Sequence, residues 1–153
     1  MLEEIIKSNN LDGTNTAYQI LRLASNNEQL QTVAYDALDY KLLNENADRP
    51  ENYGDPKILL KDDTLINVIP VLAEILSEET FNWYAKWAGL WLMKDIYRFA
   101  TVSKEAKQLS PEKTERIREL VPAYRLIYEQ LLTYKNEQVQ ESAQTLLKLI
   151  SIP

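Results

Sequence analysis

Two segments of this chain resemble each other, and the patterns that they share limit the folds available to it. Residues 27–38 read NEQLQTVAYDAL, and residues 136–147 read NEQVQESAQTLL. In the first copy the apolar residues recur at i, i+3, i+4, i+7 and i+8, the spacing of one helix face; they are Leu30, Val33, Ala34, Ala37 and Leu38. Each copy therefore predicts an amphipathic helix that must pack its apolar face against another element.

The composition also favours helices. Only three glycines occur among the 153 residues, whereas all-β proteins need many tight turns in which glycine is preferred. Charged residues make up 26% and apolar residues 45%, which is typical of globular proteins, and no stretch approaches the roughly 18 consecutive apolar residues of a membrane span. We expect one all-α domain over residues 1–153 and no contact with a membrane.

The helical patterns form three hairpins after a short helix at about residues 2–8. The hairpins cover about 14–44, 58–101 and 110–151. A surface loop is expected at 45–57, where two prolines and one glycine occur. The third hairpin begins at Ser110-Pro111-Glu112, because serine caps free amides and proline fits the first helical turn.

The middle hairpin can be aligned with the other two. Phe81 matches Leu30 and Val139, and Ala85 matches Ala34 and Ala143. The alignment predicts that these six residues occupy equivalent buried positions.

Two first helices contain a proline, in Val68-Ile-Pro-Val-Leu72 and Leu120-Val-Pro-Ala-Tyr124. Together with second helices in which alanines follow an apolar residue, these features resemble HEAT repeats over nearly the whole chain, although the usual Asp and Arg of the repeat are missing. The resemblance implies a right-handed α-α superhelix of about three HEAT-like hairpins plus the short N-terminal helix. Such stacks usually present a curved binding surface.

Several functional classes are disfavoured by what the chain lacks. It has no histidine and no cysteine, which removes the usual zinc ligands, the imidazole base and the thiolate nucleophile. No glycine-rich phosphate loop occurs. A net charge of −6 opposes binding to nucleic acid. We expect no enzyme activity, no cofactor, no bound metal and a cytoplasmic location, since the first residues do not resemble a secretory signal.

The second helix of the middle hairpin carries Trp83, Trp87 and Trp91 at i, i+4 and i+8. One interpretation is that a middle repeat is buried on more sides than its neighbours. The other follows from the alignment, because the matching residues in the outer hairpins are mostly polar, and exposed aromatic residues are typical binding anchors. The second interpretation predicts a partner-binding site formed by Trp83, Trp87, Trp91, Lys94, Asp36 and Tyr40.

The leading functional hypothesis is a non-catalytic protein-binding module, most concretely an inhibitor or immunity protein that neutralises a basic toxin or enzyme. The small, single, acidic domain resembles bacterial immunity proteins of polymorphic toxin systems. An assembly scaffold or regulatory adaptor is the first alternative. The second is a DNA glycosylase built on HEAT-like repeats, with Asp36 beside Trp83 and Trp87, but 17 basic against 23 acidic residues disfavour a DNA-binding groove.

Overall fold

The computed structural model describes residues 1–39, 63–101 and 110–152, which form helices packed against one another, with no strand in these ranges. The helices are α1 (Leu2–Ser8), α2 (Asn15–Leu23), α3 (Glu28–Asp39), α4 (Thr64–Ser77), α5 (Trp83–Thr101), α6 (Pro111–Ala123), α7 (Arg125–Gln130) and α8 (Glu137–Ile150), with a 3-10 turn at Leu131–Thr133 between α7 and α8. The all-α prediction is confirmed. Tyr40, the predicted loop at 45–57 and the hairpin segments at 40–44 and 58–62 lie outside the described residues.

Helix α5 lies at the centre of the packing. It contacts α3, α4, α6 and α8, and most of its surface is therefore removed from water. Its approach to α4 depends on Gly89, where an added Cβ would lie 3.0 Å from the Cδ2 atom of Leu76. The interpretation that the middle second helix is buried on more sides than its neighbours is correct for α5 as a whole.

The three second helices, α3, α5 and α8, begin in the same way. Asn27, Asn82 and Asn136 precede them, and each side-chain oxygen accepts a hydrogen bond from the backbone N–H three residues later, at 3.1 to 3.2 Å. These caps satisfy amides that have no partner within the helix. The predicted start at Ser110 is confirmed as well, since its hydroxyl oxygen accepts from the Lys113 N–H.

The caps change the alignment of the middle helix by one turn. Seven residues after each capping asparagine stand Ala34, Gly89 and Ala143, all buried, so Gly89 rather than Ala85 is the counterpart of the two alanines. Phe81 precedes its cap, whereas Leu30 and Val139 follow theirs.

The expected burial of Leu30 is wrong. Its side chain is 39% exposed, while Val139 is fully buried. Helix α8 packs against α5, α7 and the 3-10 turn, whereas α3 packs mainly against α2 and α5, so the first turn of α3 has less cover.

A second shared feature joins the two helices of each hairpin. Four residues after the caps stand Gln31, Lys86 and Gln140, which donate hydrogen bonds to backbone carbonyls at the end of the preceding helical segment. The Gln31 amide donates to Leu23, the last residue of α2, at 2.8 Å, and the Lys86 ammonium donates to Ile75 in α4 at 2.6 Å. Carbonyls in a last helical turn lack intrahelical partners, so these side chains both satisfy them and fix the hairpin angle.

We predict that Asn82→Ala destabilises the protein more than Asn136→Ala. Besides capping Ala85, Asn82 exchanges two side-chain hydrogen bonds with the buried Gln31, at 2.7 and 3.0 Å. Loss of a cap alone costs about 1 kcal/mol, whereas loss of the cap plus a buried amide's partners should cost about 2–3 kcal/mol. Urea unfolding measures the difference, with Asn136→Ala as the cap-only control; equal losses would contradict the role of the Gln31–Asn82 pair.

Candidate functional site

Helices α3 and α5 lie side by side and run in the same direction. Gln31 contacts Asn82 at the start of α3, the rings of Tyr35 and Trp87 lie 5.1 Å apart, and the side chains of Asp39 and Asp95 share a hydrogen bond further along. Residues of the two helices therefore meet in the same order along the chain.

Five aromatic residues form what we call the aromatic cluster: Tyr35, Trp83, Tyr84, Trp87 and Trp91. Trp87 is its centre, with ring centroids 5.1 Å from Tyr35, 5.4 Å from Tyr84 and 6.1 Å from Trp91. Trp83 contacts Tyr84 at 5.5 Å. The rings meet at tilted or edge-on angles, which the charge distribution of aromatic rings favours. The cluster joins α3 to α5.

The three tryptophans are each half-buried. Trp83 and Trp87 pack against the hydrophobic core, and each retains an exposed part. The inner parts of Trp83 and Trp87 therefore stabilise the fold, and the binding-site interpretation of the stripe stays a prediction.

Asp36 and Lys94, the other predicted site residues that the structure describes, differ in their exposure to solvent. Asp36 is exposed on α3, whereas Lys94 is only 7% exposed. The Lys94 ammonium lies over the Trp91 ring, 3.0 Å from its centroid. Lys94 is therefore part of the packed structure around Trp91 rather than a free charge at the edge of the surface.

Asp95 is a half-buried acidic residue next to Lys94 that the sequence did not single out. Burial, together with the charge of Asp39 and the hydrogen bond to it, raises the pKa of Asp95 from 3.8 to about 6, although the charges of Lys94 and Arg98 oppose the shift. Its carboxylate oxygen is 3.9 Å from the Lys94 ammonium. Burial lowers the pKa of Lys94. Burial and the charges of Asp39 and Asp95 hold the pKa of Tyr35 above its ordinary value.

A cavity of about 280 Å³ lies between α5 and α8. Both helices contribute four residues to its wall: Trp87, Leu90, Trp91 and Lys94 from α5, and Gln138, Glu141, Ser142 and Thr145 from α8. The indole nitrogen of Trp91 is buried and has no hydrogen-bond partner among the described residues. The cavity thus combines an aromatic wall with polar groups from a second helix.

Acidic residues predominate at the positions of α3 and α8 that match the tryptophans. Counted from the capping asparagines, Trp83, Trp87 and Trp91 correspond to Glu28, Thr32 and Asp36 in α3 and to Glu137, Glu141 and Thr145 in α8, and all six of these counterparts are exposed. We call the surface formed by these nine residues the second-helix face. Four of the six exposed residues are acidic, so the face has an aromatic centre and acidic sides.

Two features are absent from the part of the chain that is described. In these ranges no three histidine, cysteine, aspartate or glutamate side chains are grouped as a metal would need. None of the described helices combines the length and apolar character required to cross a membrane.

No protein-family model, curated protein or solved structure matches this chain.

We expect Trp87→Ala to lower the free energy of unfolding by about 2–3 kcal/mol, because it removes the central ring of the cluster and leaves three neighbours without it. Trp83→Ala is the matched control: this ring has one aromatic neighbour, and its removal should cost about 1 kcal/mol. Thermal and urea unfolding measure both values. Equal costs would show that the cluster does not stabilise the α3–α5 contact.

The raised pKa of Asp95 predicts that stability decreases as pH rises from about 4 to about 6. The folded protein binds a proton at Asp95 that the unfolded chain releases, so the folded state is favoured at the acidic end of this range and loses that advantage above pH 6. The Asp95 side chain is 27% exposed, so solvent screening reduces the effect, to about 1 kcal/mol.

Asp95→Asn should remove this part of the pH dependence. The amide retains a hydrogen bond to Asp39 but does not titrate. Asp36→Asn removes an exposed carboxylate from α3 and controls for net charge. Urea unfolding at pH 4.5 and pH 7.5 makes the comparison; an Asp95→Asn profile parallel to that of the wild type would refute it.

Proposed function

We propose that this chain is a non-catalytic protein-binding module and that its second-helix face contacts the partner. The observation that carries the proposal is the half-buried tryptophan stripe, whose inner edge is anchored in the core. Tryptophan side chains are strong contributors to protein interfaces when their rings are held rigidly and lose the rest of their exposed area on binding. Trp87, between three other rings, has little conformational freedom to lose.

The proposal extends to the arrangement of the hairpins. We propose that they stack as a right-handed α-α superhelix of HEAT-like hairpins, in which α3, α5 and α8 line one curved face. Shared asparagine caps, the polar side chains four residues later and the small residues seven residues later support three equivalent units. The position of α5 between α3 and α8 is consistent with this order.

The charge of the second-helix face supports a basic partner. Glu28 and Asp36 occupy the matching positions of α3, and Glu137 and Glu141 occupy those of α8, and all four are exposed. Acidic groups around an aromatic centre attract a basic surface and select against an acidic one. An inhibitor or immunity protein that occludes a basic toxin or enzyme in the cytoplasm is the concrete form of the proposal.

Two alternatives differ in testable ways. An assembly scaffold or adaptor would use the same face but leave its partner's activity intact, whereas an inhibitor would abolish it. A DNA glycosylase would need phosphate contacts from lysine and arginine, and acidic residues flank the tryptophans instead. A DNA-binding assay over a range of salt concentrations separates the glycosylase from the other two.

The proposal predicts that reversing charges on the second-helix face weakens partner binding. The variant Asp36→Lys/Glu137→Lys has one substitution within α3 and one in the first turn of α8. The partner recovered from the source cells should bind this variant at least about tenfold more weakly than the wild type. The loss should shrink as salt is added, because exposed charges are screened.

The matched control is Glu112→Lys/Glu115→Lys. It makes the same change in net charge, with one exposed residue in the first turn of α6 and one further along that helix. Affinity measured by biolayer interferometry should stay near the wild-type value. If both double variants lose affinity equally, the second-helix face is not the contact surface.

A further inference from the structure

The cavity between α5 and α8 has an aromatic wall and a polar wall. Trp87 and Leu90 belong to the wall that α5 provides. The polar wall consists of four α8 residues spaced i, i+3, i+4 and i+7, which places them on one face of that helix: Gln138, Glu141, Ser142 and Thr145. A volume of about 280 Å³ lies at the lower end of ligand pockets in proteins, which suits one long side chain better than a helix.

The two hydroxyl groups of the polar wall are acceptors towards the cavity. The Ser142 hydroxyl donates to the Gln138 carbonyl at 2.8 Å, and the Thr145 hydroxyl donates to the Glu141 carbonyl at 2.9 Å. A hydroxyl group has one proton to donate and two lone pairs that can accept. Because both protons are already used within α8, a group that enters the cavity can be hydrogen-bonded by these oxygens only if it is a donor.

Glu141 adds a negative charge to these acceptors. Its side chain is exposed and lines the cavity, and none of the ion pairs among the described residues involves it. Lys94 also lines the cavity, but its ammonium rests on the Trp91 ring and pairs with the Asp95 carboxylate at 3.9 Å. The Lys94 charge is therefore balanced within α5, and the Glu141 charge gives the cavity a preference for cations.

We propose that this cavity binds an arginine side chain of the partner, an inference that rests on the protein-binding function proposed above. The guanidinium group packs against the part of the Trp87 ring that lines the cavity and forms an ion pair with Glu141. It also donates to the hydroxyl oxygens of Ser142 and Thr145. The arginine is thereby an anchor residue within the second-helix face.

Other side chains fit these walls less well. A lysine ammonium is a compact, strongly hydrated charge, whereas a guanidinium group is planar, stacks on aromatic rings and carries five donors in a fixed arrangement. A carboxylate would be repelled by Glu141 and would bring further acceptors to a wall of acceptors. An apolar side chain would remove water from these oxygens without replacing its hydrogen bonds.

Blocked amino acids test the cavity without the partner. The probe is N-acetyl-arginine amide, in which both ends are neutral and only the side chain is charged. The citrulline equivalent has nearly the same shape without the charge, and the lysine equivalent has the charge without the planar group. We expect the arginine probe to bind at least about tenfold more tightly than the citrulline probe, as a charge-assisted hydrogen bond implies, and several-fold more tightly than the lysine probe.

NMR titration measures these affinities and reports where the probe binds. The δ-methylene protons of the arginine probe should move upfield on binding, because the guanidinium group lies against an indole ring. Glu141→Gln should reduce the preference for arginine over citrulline to less than about twofold, since it removes the charge and keeps the shape. Glu115→Gln removes an exposed carboxylate from α6 and should leave the preference unchanged.

A second pair of variants tests the cavity by filling it. Thr145→Phe places a ring in the cavity and should weaken binding of the arginine probe, and of the partner, at least about tenfold. Gln144→Phe makes a similar change at an exposed residue of α8 outside the cavity walls and should keep both affinities. NMR spectra establish that each variant is folded.

The outcomes separate this inference from the proposed function. No saturable binding of the arginine probe, equal affinity for arginine and citrulline, or a preference that survives in Glu141→Gln would overturn the arginine site. If Asp36→Lys/Glu137→Lys weakens partner binding but Thr145→Phe does not, the arginine anchor is wrong and the second-helix face remains the contact surface. If neither variant weakens partner binding, the proposed function fails as well.

Discussion

Helix α5 is packed against α3, α4, α6 and α8, and the rest of the structure depends on this burial. A helix surrounded in this way must be apolar on most of its surface, yet α5 carries Lys86, Lys94 and Asp95 among its apolar residues. Each charged group then needs a specific partner, because water is largely excluded. The packing of one helix thereby decides which polar groups stabilise the fold and which remain available for binding.

These three charged side chains have three different kinds of partner. Lys86 donates to carbonyls at the end of α4 and so ties the middle hairpin together. Asp95 forms a hydrogen bond with Asp39, which links the α3–α5 contact to pH. Lys94 rests on Trp91, with the Asp95 carboxylate 3.9 Å from its ammonium. Lys86 and Lys94 therefore lie on the same helix but are held by different kinds of partner, backbone carbonyls for Lys86 and the Trp91 ring and Asp95 for Lys94.

The aromatic cluster combines stability with a surface for recognition. Tyr35 and Trp87 join α3 to α5, so the rings that would meet a partner are also those that hold two second helices together. A rigid aromatic surface loses little side-chain entropy on binding. In the proposed function, acidic residues at equivalent positions of α3 and α8 favour partners of opposite charge.

The sequence by itself determined the helical class, the starts of the capped helices and the repetition of the first and third hairpins, because capping and amphipathic spacing are local properties of the chain. The glutamines Gln31 and Gln140 occur at matching positions of the two repeated segments. The structure shows that both donate hydrogen bonds to backbone carbonyls within their hairpins.

Only the tertiary structure decided that Leu30 is exposed, that Gly89 is the counterpart of Ala34, and that Asp95 forms a hydrogen bond with Asp39. Periodicity shows which face of a helix is apolar, but the neighbour that covers a face, and the distance at which two helices meet, depend on contacts between residues far apart in the chain. For the same reason the sequence placed Trp87 and Lys94 on one stripe, whereas packing alone made one a half-exposed ring and the other a buried charge.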